Sequence, residues 1–265
     1  MMMRRALALF LLVLLSAPAF AGWIASPDVR FQEAVVRLIA QRGDEGTLRG
    51  GIEIKLAQGF KTYWKNPGDS GVPPQFDVGA SRGIRDFVVR MPLPERFDDG
   101  AGGVAFGYQH SVLFPFEAKA DAAGLVVLKL DFAVCGKLCI PLAGTLTLDL
   151  AKAEAAEAGV EALWAKTVAH LPKPATQGAA TVKRVGAEDF VITLPSTVPP
   201  AELRVFPMAP GFFEVKAVEA VGAGKVLIRL VGQAAPGTKT FGPLSLTYGT
   251  AQESFERVFD VDAAQ

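Results

Sequence analysis

The sequence predicts an all-β protein, with two immunoglobulin-like β-sandwich domains joined by a short amphipathic helix. Short runs that alternate apolar and polar residues recur from Val29 to Leu150 and again after residue 181. Clusters of Gly and Pro punctuate them, as at Asn66-Pro67-Gly68-Asp69, Val72-Pro73-Pro74, Pro92-Leu93-Pro94 and Asp99-Gly100. Between the two sets lies one stretch of different texture, where Ala, Glu and Lys dominate and apolar residues fall three and four apart.

The elements follow in chain order. Arg4 and Arg5 precede an apolar run from Ala6 to Leu15 and a small-residue site at Ala19-Phe20-Ala21. Residues 1–21 therefore read as a secretory signal cleaved before Gly22. The run is much shorter than the ~20 residues that cross a bilayer as a helix. No membrane span is expected after cleavage, and the expected location is the periplasm, where disulfides persist. Loss of the signal removes two of the 27 basic residues, leaving 25 against 27 acidic ones. That balance offers no basic face for nucleic acid. The 244 residues from Gly22 to Gln265 are long for one compact β domain and comfortable for two.

Residues 22–150 are expected to form the first sandwich. Its strand patterns include Leu48 to Leu56, Ile84 to Met91, Ser111 to Ala118, Leu125 to Val134 and Gly144 to Leu150. The only two cysteines, Cys135 and Cys139, stand at the end of the apolar Leu125 run with Gly136, Lys137 and Leu138 between them. Three residues make a favoured hairpin loop, so the thiols would face each other at its neck, within reach of a disulfide. In the chain-entropy model a loop of about five residues gains about 2 kcal/mol, against about 3 for fifteen, which makes this a poor place for a staple. Spacing favours a redox pair over a structural one. The motif is not Cys-x-x-Cys and opens no helix, so reactivity would depend on an attacking thiolate from a partner. Lys137 is a candidate to stabilise a thiolate, or simply a solvated residue at a hairpin tip.

From Ala151 to His170 the apolar residues Val160, Leu163, Trp164 and Val168 mark an amphipathic helix, stopped by Pro172 and Pro174. Residues 151–180 thus read as a helical connector and linker, docked by one apolar face. His170 would end the helix, where positive charge complements the dipole. Residues 181–265 are expected to form a second, smaller sandwich, with strands at Phe190 to Leu194, Glu202 to Phe206, Phe213 to Val221, Lys225 to Val231, Leu244 to Tyr248 and Phe255 to Val261. A faint echo of Arg90 to Phe97 in Arg204 to Phe213 hints at duplication.

Three strings, GFKTYWKNPGDSGVPP at Gly59 to Pro74, FGYQHSVLFP at Phe106 to Pro115 and DFAVCGKLCIP at Asp131 to Pro141, occur in an order that identifies a family. From about Phe31 to Leu150 the chain resembles the periplasmic N-terminal domain of the DsbD/ScsB thiol:disulfide interchange proteins. The resemblance implies an immunoglobulin-like sandwich whose cysteine pair relays reducing equivalents from a membrane thiol:disulfide reductase to periplasmic thioredoxin-like or disulfide-containing clients. It implies that Cys139 exchanges with the partner and Cys135 resolves the mixed disulfide. Members of the family shield the pair with a cap loop bearing an aromatic residue. Here the corresponding stretch, Phe97 to Phe106, is glycine-rich and offers Phe97 or Phe106 at shifted positions. The family's transmembrane and thioredoxin-like domains would have to come from another polypeptide.

Tyr63 and Trp64 are candidates to stand near the site, or to pack a core beside a tight turn. Asp69 is a candidate to cap that turn by an Asx-type hydrogen bond, or to act as an acid near the thiols. Tyr108 and His110 would satisfy local hydrogen bonds, although the imidazole of His110 is also a candidate to assist a thiol. No cofactor is expected. Two rivals to the relay remain: a binding module with an inert disulfide, and a copper-handling protein using the thiolates with a His and Met91 or Met208.

Overall fold

The computed structural model describes residues 22–98, 103–175, 180–195, 198–220 and 225–263. The expected signal segment, the Asp99-Gly100 turn and most of the polar stretch after Ala175 lie outside them. The described residues form three β-sheets and one α-helix.

The first sheet has twelve strands and includes every strand up to residue 155. Its organiser is one long strand, Ser111–Cys135, which unites two runs that the sequence reads separately. Ser111–Lys119 pairs with the strand Thr47–Leu56 on one side, and Phe116–Ala120 pairs with Arg82–Val89 on the other. Beyond Gly124 the same strand changes partners. Leu125–Cys135 now pairs with Cys139–Asp149 on one side and with Gln75–Asp77 and then Lys61–Thr62 on the other.

Alternation explains why both parts serve one core. Side chains two apart share a face of a strand. Val112, Phe114, Phe116 and Ala118, then Val126, Leu128, Leu130, Phe132 and Val134, are all buried in the same cluster. The even-numbered phase survives the change of partners. Val36, Leu38, Ile52, Ile54, Leu146 and Leu148 from neighbouring strands join them in that core.

The helix is Val160–Ala169, only the second half of the expected span. Gly159 precedes it in a left-handed conformation, with φ of 93°, and Glu154–Ala155 pairs as a short strand with Ile24–Ala25. That pairing joins residues far apart in sequence, and local spacing does not encode it. The docked face is narrower than the expected one: Leu163 is exposed, and Val160 is the only buried residue of the helix. Val160 is buried with Trp23, Ile39 and Leu113, and the Trp164 indole donates to the Gly50 carbonyl at 2.8 Å. The Arg49 guanidinium lies 4.8 Å above the Trp164 ring.

The remaining two sheets have four strands each. One runs Lys173–Pro174, Ser254–Asp260, Pro243–Gly249 and Arg204–Met208; the other runs Thr181–Arg184, Asp189–Pro195, Lys225–Gln233 and Phe212–Ala220. Phe190, Ile192, Leu194, Ile228 and Leu230 from one and Leu244, Leu246 and Phe259 from the other bury a common second core. The echo between residues 90–97 and 204–213 does not join equivalent elements. Its first copy is a connection followed by the short strand Glu95–Asp98, whereas its second opens on the strand Arg204–Met208.

Candidate functional site

The hairpin at the end of the long strand carries the site. Cys135 and Cys139 are direct cross-strand partners, the Gly136 amide donates to the Leu138 carbonyl across the loop, and a disulfide joins the two with Cα atoms 4.1 Å apart. The sulfurs stand in different surroundings. Cys135 is 2% exposed and clusters with Tyr63, Ala105 and Ala133, while Cys139 is exposed. Lys137 and Leu138 at the tip are exposed as well, Leu138 to 78%.

The strand Lys61–Gly68 lies beside the long strand and aims Tyr63 at the disulfide. Lys61 is the register partner of Cys135, and by alternation Tyr63 shares its face. The Tyr63 hydroxyl donates to Cys135 Sγ at 2.6 Å and lies 3.3 Å from Cys139 Sγ. One buried phenol therefore touches both sulfurs. Gly71 makes room for it: φ is 110° there, and an added Cβ would stand 2.2 Å from the Tyr63 ring. Thr62 fixes the strand by donating from Oγ1 to the Ala133 carbonyl at 2.9 Å. Phe60 lies beside the loop, 3.3 Å from the position of a Cβ on Gly136.

The described parts of the expected cap stretch form two strands, Glu95–Asp98 and Val104–Gln109, that pair next to this site; residues 99–102 are outside the described set. Ala105 reaches the cysteine cluster itself. The ring of Phe97 sits under the Lys61 ammonium at 5.3 Å, and Lys61 also donates to the Asp98 carbonyl at 3.1 Å. Phe106 points elsewhere, with its ring edge-on to Phe206 at 5.1 Å.

The other candidates have distinct surroundings. Trp64, next to Tyr63, turns into the core, 5.8 Å from the Phe206 ring, and its indole N–H has no hydrogen-bond partner among the described residues. Asp69 accepts from the Val104 amide at 2.8 Å, and its own amide donates to the Val104 carbonyl. The Asx-type bond of this segment belongs instead to Asn66, whose Oδ1 accepts from the Gly68 amide at 3.1 Å. Tyr108 donates to the Pro92 carbonyl at 2.8 Å, and burial pushes its phenol well above its ordinary pKa. His110 occupies the turn into the long strand with φ of 61° and accepts through its carbonyl from the Leu56 amide. It lies two strands away from Cys135, since Lys61 pairs with Gln109 on one side and with Cys135 on the other.

Lys61, Gly71, Phe60 and Asn66 were not singled out from the sequence. The signal for Lys61 is period two, which puts it on the face of Tyr63; Gly71 sits inside the distinctive string but declares its purpose only once Tyr63 is placed. Among the described residues no group of three or more His, Cys, Asp or Glu is placed to hold a metal ion. No helix among them is long and apolar enough to cross a membrane.

Comparison with known proteins falls on the same region. Residues 29–151 match the family model described as thiol:disulfide interchange protein DsbD, N-terminal. Among solved structures, the crystal structure of the N-terminal periplasmic domain of ScsB from Proteus mirabilis is similar, with a TM-score of 0.73 and 22% identity. The likeness covers 90% of this chain and 98% of that one. No curated protein matches this chain.

Proposed function

Residues 29–151 belong to the DsbD N-terminal domain family, and from that premise we propose that this chain is a periplasmic thiol–disulfide exchange protein relaying reducing equivalents through Cys135 and Cys139. Its donor is a membrane thiol:disulfide reductase, and its acceptors are thioredoxin-like or disulfide-containing proteins of the envelope. The boundaries that go with this reading are a signal at 1–21, an exchange domain at 22–150, a connector at 151–180 and a second domain at 181–265. Each domain is read as an immunoglobulin-like sandwich. In the first, the long strand changes partners near Gly124 while both of its parts face one core; in the second, two four-stranded sheets enclose another.

The observation that carries the reading is the asymmetry of the disulfide, with one sulfur exposed and the other buried under a phenol. A partner thiolate reaches the pair from the side of Cys139, the exposed residue of the two, and attacks its Sγ. As the new S–S bond forms, the bond to Cys135 breaks and the electron pair leaves on Cys135 Sγ. Tyr63 already donates a hydrogen bond to that sulfur, and such a bond strengthens when its acceptor gains charge. A better-stabilised leaving thiolate departs faster. The second partner thiol, as thiolate, then attacks its own sulfur in the mixed disulfide and releases Cys139. Both cysteines of this chain end protonated with the two protons of the partner dithiol, and the partner ends as a disulfide. Run backward, the same steps reduce a client.

The test is equilibration of the protein with glutathione or dithiothreitol buffers of graded potential, together with trapping by Cys135→Ala, which leaves Cys139 alone. The expected result is a pair reducible within the range of periplasmic exchange partners and a stable mixed disulfide on the variant. A disulfide poised far below about −300 mV, and no trapped partner, would overturn the proposal in favour of a structural bridge.

A further inference from the structure

Past Tyr63, the strand that presents it loses its pairing within its own sheet. Its pairing with Val104–Gln109 runs through Lys61, Thr62 and Tyr63, then breaks, and resumes only at Gly68. Side chains that reach the C-terminal part fill this gap. The Trp64 ring packs on Phe206, the Lys65 ammonium pairs with the Glu256 carboxylate, and Asn66 Nδ2 donates to the Pro207 carbonyl at 2.6 Å. Three consecutive residues directly after Tyr63 are thus fastened to strands Arg204–Met208 and Ser254–Asp260. Phe206 is 2% exposed and is buried with the N-terminal core. Its ring also meets Phe106, whose neighbour Ala105 lies in the cysteine cluster. A single side chain therefore backs both strands that flank the site. The Trp64 indole N–H has no hydrogen-bond partner among the described residues, so the ring is held by its contacts with Phe206 and with the Lys65 ammonium, 5.0 Å from its centre.

We propose that the C-terminal part is a buttress of the exchange site, with Phe206 as the positioning residue that keeps the Tyr63 hydroxyl on Cys135. The inference rests on the thiol–disulfide exchange reading and assigns the C-terminal part a task within it. Phe206 touches neither sulfur. It acts by fixing the strand on which Tyr63 stands, and without it Trp64 and the register gap are free to shift.

The experiment uses the chain from Gly22 to Gln265 and reads the equilibrium constant of the cysteine pair against glutathione, a quantity that access of the reagent does not change. A reduced sulfur accepts a hydrogen bond more strongly than a disulfide sulfur, so Tyr63→Phe is expected to move that constant about tenfold toward the disulfide, equivalent to about 30 mV for a two-electron couple. Phe206→Ala is expected to move it several-fold in the same direction, and Phe206→Leu to restore most of the loss. The double variant should match Tyr63→Phe alone, because a residue acting through Tyr63 has nothing left to act on. Glu256→Gln, which leaves the core intact, should give about a twofold shift of the same sign and guards against simple misfolding of Phe206→Ala. A wild-type constant for both Phe206→Ala and Glu256→Gln, or additive shifts in the double variant, would overturn the buttress while leaving the exchange reading standing. A wild-type disulfide that no dithiol buffer reduces would overturn both.

Discussion

At Gly71 the absence of a side chain is what lets Tyr63 lie against the disulfide. Gly71→Ala asks an L-residue to hold φ of 110° and places a methyl group 2.2 Å from the phenol ring, a strained backbone and a clash together worth about 2 kcal/mol or more. Either the protein loses that stability or Tyr63 moves; the expected outcome is a lower urea midpoint together with reduction by dithiothreitol slowed several-fold. Leu138 makes a complementary prediction. It is 78% exposed next to the exposed Cys139, in position to touch whatever protein docks on that sulfur. Leu138→Ser should lower kcat/KM with a thioredoxin-like partner by about three- to tenfold, the range of one apolar contact, and leave the rate with dithiothreitol unchanged; equal effects on both reagents would remove Leu138 from the docking surface. At this scale the sequence was informative where chemistry and spacing coincide. Two cysteines separated by three residues already fix a hairpin neck, and the aromatic pair Tyr63 and Trp64 is visible as a motif. The division of labour between those two, one on the sulfurs and one on Phe206, follows from alternation in a strand, but the Asn-Pro-Gly signal reads as a turn and conceals that strand. The partners of Asp69 and Phe106 are set by residues distant in sequence, which no local pattern specifies.

Elements were legible to the extent that their pattern is local. The six strand runs expected after residue 181 all appear, shifted by no more than a few residues, because one face of each is buried and alternation records it. The long strand was read as two because Ala120 to Gly124 carries little apolar signal, yet its phase continues through that segment and the backbone does not break. The sequence reads the helix at twice its length, since Ala, Glu and Lys favour helix throughout 151–170, whereas two residues of the first half, Glu154–Ala155, pair with Ile24–Ala25 in the sheet and the helix begins only at Val160. This helix is fastened by Trp164, through its bond to Gly50, its ring contact with Trp23 at 5.6 Å and the Arg49 guanidinium above it. Trp164→Ala is expected to cost about 2–3 kcal/mol, below the range for a fully buried tryptophan because this one is partly exposed. Urea unfolding followed by circular dichroism checks it; a cost under about 0.5 kcal/mol would mean that the helix is held mainly by Val160.

Across the whole molecule, one ion pair couples the N-terminal and C-terminal parts in a way that pH can read. The Glu256 carboxylate is partly buried, which opposes its charge, but the ammonium of Lys65 and the hydroxyls of Ser245 and Thr247 outweigh that burial and hold it below the usual carboxylate range. A carboxylate whose folded pKa lies below its unfolded value stabilises the fold at every pH above the unfolded value. That contribution fades as pH falls toward the folded pKa and is gone beneath it. The side chains are 32% and 35% exposed, and solvent screening limits the pair to at most about 1 kcal/mol. The difference in unfolding free energy between the wild type and Glu256→Gln should therefore be constant from pH 7 down to the ordinary carboxylate pKa, then shrink to nothing in stronger acid. It should also shrink at high salt, as a partly exposed pair requires. Because the same ammonium fastens the strand that carries Tyr63, the cysteine equilibrium measured against dithiol buffers should lose its sensitivity to Glu256→Gln over the same acidic interval. Stability that follows this course while the cysteine equilibrium ignores it would show two parts docked together without one tuning the other.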